Sequence, residues 1–206
     1  MKNKIEKIGV SGGTFNPIHM GHLMVAEMVR DSFGLDKVLF IPSGMPPHKN
    51  LGGVACAEHR FDMVQIAVAS NPYFIESRIE IDRRGYTYTV DTLKNLREIY
   101  GNNTSLYYII GADVLNDLLT WRSFEEVFKI CEFIAVLRPG NDVQAFNNQM
   151  KYLKDTYCAK IHFINTPQID ISSTEIRDRV KEGRSIKYLV PDAVEEYIKL
   201  NRLYTQ

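Results

Sequence analysis

Residues 11–22 read Ser-Gly-Gly-Thr-Phe-Asn-Pro-Ile-His-Met-Gly-His. The apolar strand candidate Ile8–Val10 runs into this stretch, and the amphipathic run Leu23–Phe33 leaves it. A glycine-rich turn between a first strand and a first helix is where open parallel α/β folds hold phosphate, because backbone N–H groups and the helix dipole face an anion there. The glycines permit close approach of a ligand to the backbone and give access to φ > 0. His19 and His22 stand at i, i+3, so a helix start turns both to one side. Two histidines beside such a loop suggest a site where phosphate charge changes during a reaction.

The neighbouring loop types fail on spacing. A dinucleotide fingerprint needs G-x-G-x-x-G, and a P-loop closes on Gly-Lys-Ser/Thr; residues 9–22 supply neither. Zinc would call for His-Glu-x-x-His or a nearby cysteine pair, both absent, so no metal-ligating set is read. A helix cap with two surface histidines is the plain alternative. It explains one histidine better than two beside Gly-Gly.

The chain has 206 residues, enough for one domain with a sizeable core, and we read 1–206 as a single unit. Lys+Arg and Asp+Glu both number 25. That balance lacks the basic excess of a protein that tracks nucleic acid, so no polynucleotide partner is expected. No apolar run is long enough to span a bilayer, and no apolar segment follows Met1-Lys2-Asn3-Lys4 as a signal peptide requires. Cys56, Cys131 and Cys158 are odd in number and scattered, which argues against a disulfide framework and for a reducing cytoplasm.

Strand-like segments at Ile8–Val10, Val38–Ile41, Phe74–Ser77, Leu106–Ile110, Phe133–Leu137 and Ile161–Ile164 alternate with helical patterns. The latter are Leu23–Phe33, Glu58–Ser70, Val90–Tyr100, Phe124–Lys129, Gln144–Tyr157, Thr174–Glu182 and Asp192–Leu200. The alternation predicts a doubly wound, Rossmann-like α/β fold with a mostly parallel sheet, plus a small helical part from about 171 to 206. Continuous apolar strands such as Val38–Ile41 suit a sheet covered on both faces. The Pro/Gly-rich piece Pro42–Gly53 then emerges at the carboxyl edge of the sheet, where ligands bind in such folds.

Four further segments carry polar groups to that edge. Pro46-Pro47-His48-Lys49 ends a stiff loop on two basic residues; a solvated surface loop is its plain alternative. In Thr87-Tyr88-Thr89-Val90-Asp91-Thr92, either Thr89 or Asp91 can cap a helix, and a helix N-terminus suits a carboxylate. Gly111-Ala112-Asp113 follows a strand and puts an acid where sugar hydroxyls could donate to it, though a helix cap would account for Asp113 equally well. Trp121, by itself, reads as a core or rim aromatic. In Ile171-Ser172-Ser173-Thr174-Glu175-Ile176-Arg177, Ser172 and Glu175 fit a capping box. The same turn gathers N–H groups, hydroxyls and a guanidinium into an anion site.

His19-Met20-Gly21-His22 resembles the (T/H)xGH signature of the HIGH-type nucleotidyltransferases. With Gly12-Gly13-Thr14-Phe15-Asn16-Pro17 before it and the four later motifs in order, the chain resembles the bacterial nicotinate-mononucleotide adenylyltransferases from Gly9 to about Tyr197. The resemblance implies transfer of the adenylyl group of ATP, with Mg²⁺, to nicotinate mononucleotide. It implies that Gly12, Gly13, Thr14, Phe15, His22, Asp113, Ser172, Ser173 and Arg177 meet ATP. Thr14, Lys49, Tyr88, Thr89 and Trp121 would meet the mononucleotide, with Trp121 stacked on the pyridine ring. His19, His22, Lys49 and Arg177 would carry the catalytic charge stabilisation. Asn16 stands where many relatives have Asp, and is expected to shape the loop without taking part in the chemistry.

Three rivals remain at this stage. Another phosphate nucleophile, such as nicotinamide mononucleotide or phosphopantetheine, would keep the chemistry and change the substrate. A nucleotide-binding regulator would not require both histidines and Arg177. A redox enzyme would require the missing G-x-G-x-x-G. Homo-oligomerisation is left open by the sequence.

Overall fold

The computed structural model describes residues 5–45, 53–137, 142–167 and 170–205. Six strands, β1 (Glu6–Gly13), β2 (Lys37–Pro42), β3 (Phe74–Glu76), β4 (Thr104–Gly111), β5 (Glu132–Leu137) and β6 (Ile161–Asn165), form one sheet in the order 3-2-1-4-5-6. Every pairing is parallel. β2 and β5 are buried along almost their whole length, as a sheet covered on both faces demands.

The helices divide between the two faces. Helices α3 (Thr89–Tyr100), α4 (Phe124–Ile130) and α5 (Val143–Tyr157) share a core with Ile8, Val10, Leu106 and Phe133. Helices α1 (Met20–Phe33), α2 (Ala57–Val68), α6 (Ser173–Lys181) and α7 (Asp192–Leu200) share the opposite core with Val38, Phe40, Ile109 and Ile134. Ile176, Val194 and Ile198 belong to that second core, so the C-terminal helices close the same face that α1 and α2 begin. Tyr197 fastens α7 to α2: its hydroxyl donates to Asp62 Oδ2 at 2.6 Å and lies 2.9 Å from His59 Nδ1. Among the described residues no helix is long and apolar enough to cross a membrane.

The strand order reverses between β1 and β4. The crevice outside the carboxyl ends at that switch point is where this architecture binds ligands. β1 ends there at Gly13, and β4 ends there at Gly111.

Three local expectations are corrected. β1 continues through Gly12 and Gly13, which pair with Ile41 and Pro42 and so belong to the strand. Neither glycine takes positive φ; the left-handed residue of this loop is Phe15, at φ 48°. α3 begins at Thr89 with Tyr88 as its N-cap and no side-chain cap bond, so neither Thr89 nor Asp91 caps it.

Candidate functional site

α1 starts three residues earlier than the apolar periodicity suggests. His19 is therefore its N-cap and His22 lies in its first turn. The His19 N–H donates to His22 Nδ1 at 3.3 Å. A ring nitrogen that accepts carries no proton, so in neutral His22 the proton sits on Nε2, which becomes a donor. The two imidazoles stack with centroids 3.6 Å apart. The Phe15 ring packs edge-on against His22 at 5.0 Å and is itself buried against Phe40. The Phe15 side chain thus packs against His22 and is turned into the core.

His19, His22 and Gly12 line one cavity of about 150 Å³ together with Gly111, Thr166 and Ile171. Gly111 leads directly into a short 3₁₀ turn, Ala112–Asn116, and Asp113 folds back over it: a Cβ at 111 would stand 2.4 Å from Asp113 Oδ1. Ile171 leads into α6. Ser172 Oγ accepts from the Glu175 N–H at 3.1 Å, but the Glu175 carboxylate turns away to Arg179 at 2.9 Å. Only the forward half of the expected capping box is therefore seen. The Ser173 hydroxyl donates to the Pro17 carbonyl at 2.8 Å. Arg177 Nη1 donates to the Asn16 carbonyl at 2.9 Å. α6 is therefore bolted onto the histidine loop by two of its own side chains, Ser173 in its first turn and Arg177 in its second. Arg177 also lines a neighbouring basic cavity of about 390 Å³ with Lys181, Arg202 and Tyr204. The histidines and Arg177 thus line two different cavities.

Asn16 is the hub of the loop. It is buried, its Oδ1 accepts from the Ala55 N–H at 3.0 Å, and its Nδ2 donates to the Gly53 carbonyl at 3.3 Å. The bond from Asn16 to Pro17 is cis.

On the other side of the switch point the organising residue is Tyr108. Its hydroxyl lies so close to Gly12 that a Cβ there would stand 2.4 Å away. Its ring packs edge-on against Trp121 at 5.7 Å. Burial, and then the nearby Glu80, push the phenol pKa well above its ordinary value, so it stays a neutral donor. Trp121 is half-buried against Tyr108 and Phe133. Tyr88 is half-buried beneath the Arg122 guanidinium, 4.5 Å from its ring centroid. Glu80 is buried behind α3. It accepts from Thr92 Oγ1 at 2.8 Å, and burial raises its pKa. Lys49 lies outside the described residues.

Sequence reasoning passed over Tyr108, Glu80, Tyr204 and Arg60. For Arg60 a signal existed: with Val64 and Ala67 it follows helical spacing on a face that is otherwise apolar. For the other three the contacts span distant segments, and no local pattern marks them.

Comparison with known proteins places this geometry. The model of the family described as cytidylyltransferase-like matches residues 10–179. A protein of Thermoanaerobacter sp. (strain X514), named "Probable nicotinate-nucleotide adenylyltransferase", is 48% identical over 198 residues, covering 96% of this chain and 94% of its own. A protein of Moorella thermoacetica (strain ATCC 39073 / JCM 9320) with the same name is also 48% identical, covering 96% and 91%. A solved structure of the Plasmodium falciparum nicotinic acid mononucleotide adenylyltransferase complexed with NaAD has a TM-score of 0.79 at 22% identity, covering 97% of each chain. At that identity it establishes a shared fold.

Proposed function

The chain belongs to the cytidylyltransferase-like family, among the nicotinate-nucleotide adenylyltransferases, and from that premise we propose that it joins ATP to nicotinate mononucleotide, giving deamido-NAD and pyrophosphate. One observation carries the reading: two stacked histidines at the start of α1 face the crevice where the strand order reverses.

In this reading the 5′-phosphate oxygen of the mononucleotide attacks the α-phosphorus of ATP. The bond from that phosphorus to the bridging oxygen of the β-phosphate breaks, and pyrophosphate leaves with the electron pair. A phosphomonoester with a second pKa of about 6 is already a dianion near neutral pH, so no general base is required. Catalysis is then alignment and charge stabilisation. His22 Nε2–H and His19 would donate to the triphosphate, with Arg177 and the N–H groups of the first turn of α6 beside them. Lys49 would supply a further charge. Gly12, Gly13, Thr14 and Phe15 would meet ATP through backbone, and Asp113 would accept from a ribose hydroxyl. Trp121 would stack on the pyridine ring, and Tyr88 and Thr89 would present the N-terminus of α3 to its carboxylate.

Nucleotidyl transfer from ATP uses a divalent metal, and Mg²⁺ is our assignment. Among the described residues no three His, Cys, Asp or Glu side chains converge. Those residues do not form a cage of their own, so the cation would arrive with ATP and would supply charge neutralisation at the phosphates. Three free cysteines fit a reducing cytoplasm, and zero net charge fits small-molecule partners better than a polynucleotide.

The test is a pyrophosphate-release assay with ATP and a panel of phosphate nucleophiles, run on the parent and on His22→Ala. Turnover with nicotinate mononucleotide should fall about a hundred- to a thousand-fold in the folded variant. Undiminished turnover would remove His22 from the mechanism.

A further inference from the structure

Arg60 heads the large side chains that the fold encloses completely; it is 2% exposed. Among the described residues its hydrogen-bond partners are all backbone carbonyl oxygens. Nε donates to Ala55 at 3.1 Å, Nη1 to Thr14 at 2.8 Å, and Nη2 to Ser43 at 2.7 Å, with a longer contact to Gly44 at 3.4 Å. These acceptors belong to three different stretches. Thr14 lies in the loop after β1, Ser43 and Gly44 follow β2, and Ala55 leads into α2.

A buried cation is costly to desolvate unless its donors are satisfied, and Arg60 satisfies its own on carbonyls of three separate stretches. Charge burial by itself does not account for Arg60. Its geometry does. A guanidinium is a rigid planar fork with five N–H donors, so it fixes the angles between several acceptors at once, whereas an ammonium is a single point of charge. In the adenylyltransferase reading, on which this inference rests, the β1 loop holds ATP, with Thr14 reaching the mononucleotide as well, and the β2 loop leads to the other mononucleotide contacts.

We infer that Arg60 is a positioning residue that sets the separation between the ATP-holding loop at Thr14 and the mononucleotide-side loop at Ser43–Gly44. It touches neither substrate. Each loop can still bind its own ligand without it, but the nucleophilic oxygen and the α-phosphorus are no longer held in line. A displacement of about 1 Å at a reacting centre can cost on the order of a hundred-fold in rate. Loss of Arg60 should therefore appear in kcat and leave each KM nearly unchanged.

The experiment compares the parent with Arg60→Met, which keeps the bulk, and Arg60→Lys, which keeps the charge. Pyrophosphate release gives kcat and KM for each substrate, and urea unfolding gives stability. We expect kcat to fall at least about tenfold in both variants, with each KM within about threefold of the parent. Arg60→Met leaves the Ala55, Thr14 and Ser43 carbonyls without their donor and should lose stability, so kcat is compared on protein that the unfolding curve shows to be folded. Parental kcat in a folded variant, or a loss confined to KM, would overturn the inference. So would failure of both variants to fold, since Arg60 would then serve folding alone. A parent that releases no pyrophosphate would sink the adenylyltransferase reading itself, a result distinct from an active parent with equally active variants.

Discussion

The Tyr204 hydroxyl donates to Asn16 Oδ1 at 2.9 Å, joining the last turn of the chain to the histidine loop across 188 positions. The same oxygen accepts from the Ala55 N–H, and the Asn16 carbonyl accepts from Arg177. One asparagine thus gathers the β1 loop, the approach to α2, helix α6 and the C-terminal turn. Burial pushes the Tyr204 phenol pKa upward, so it remains a donor throughout the neutral range.

Tyr204→Phe removes that donor and leaves the ring. It should cost about 0.5–1.5 kcal/mol of stability, read as a lowered midpoint in urea with an unchanged slope. An unchanged midpoint would show that the tail is not held by this bond.

Gly12 and Gly44 are both needed for close approach, but against different neighbours. A Cβ at Gly12 meets the Tyr108 hydroxyl at 2.4 Å, whereas one at Gly44 meets the Glu80 backbone carbonyl at 2.2 Å. Gly12→Ala should cost about 1–3 kcal/mol, and adding Tyr108→Phe should recover part of it because the clashing atom is gone. Gly44→Ala should cost more, since backbone cannot be trimmed. Denaturant titration of the three variants decides; equal costs for both glycines, or no recovery, would contradict these contacts.

Glu80 supplies a pH dependence. Burial raises its carboxyl above the ordinary 4.5, so the folded chain holds that proton more tightly than the unfolded chain does. The stability gained from protonation is complete below pH 4.5 and is lost as pH rises through the raised folded value. Relative to Glu80→Gln, the parent should therefore lose stability as pH climbs from 4.5 into the window above it. Urea unfolding at a series of pH values tests this. Parallel curves for the two proteins would show that Glu80 does not titrate in that window.

Much of this was legible in the sequence because it is local. Apolar runs such as Val38–Ile41 and the helical period of Asp192–Leu200 sit within single elements, and both elements form with those cores. The Gly-Gly…His19…His22 spacing likewise depends only on a strand, a turn and the start of a helix. Contacts between distant segments were not legible. Arg60 reaches Thr14 across 46 positions, and nothing in the α2 sequence specifies which carbonyls it will meet. The N-cap of α3 shows the same limit: Thr89 is a good capping residue by type, but the helix already begins at Thr89 and Tyr88 takes the cap position without a side-chain bond.

The central claim is that the crevice joins ATP to an acidic pyridine nucleotide. The N-terminus of α3, at Tyr88 and Thr89, offers N–H groups and partial positive charge. Of the two carboxylates near it, Asp91 stands in the same first turn and the buried Glu80 is turned into Thr92. An anionic ring substituent should therefore be favoured over an amide, while Trp121 should accept either ring. The measurement is the ratio of kcat/KM for nicotinate mononucleotide over nicotinamide mononucleotide at saturating ATP. A ratio of at least about ten, equivalent to about 1.4 kcal/mol, is predicted. Equal use of the two, or preference for the amide, would contradict the account.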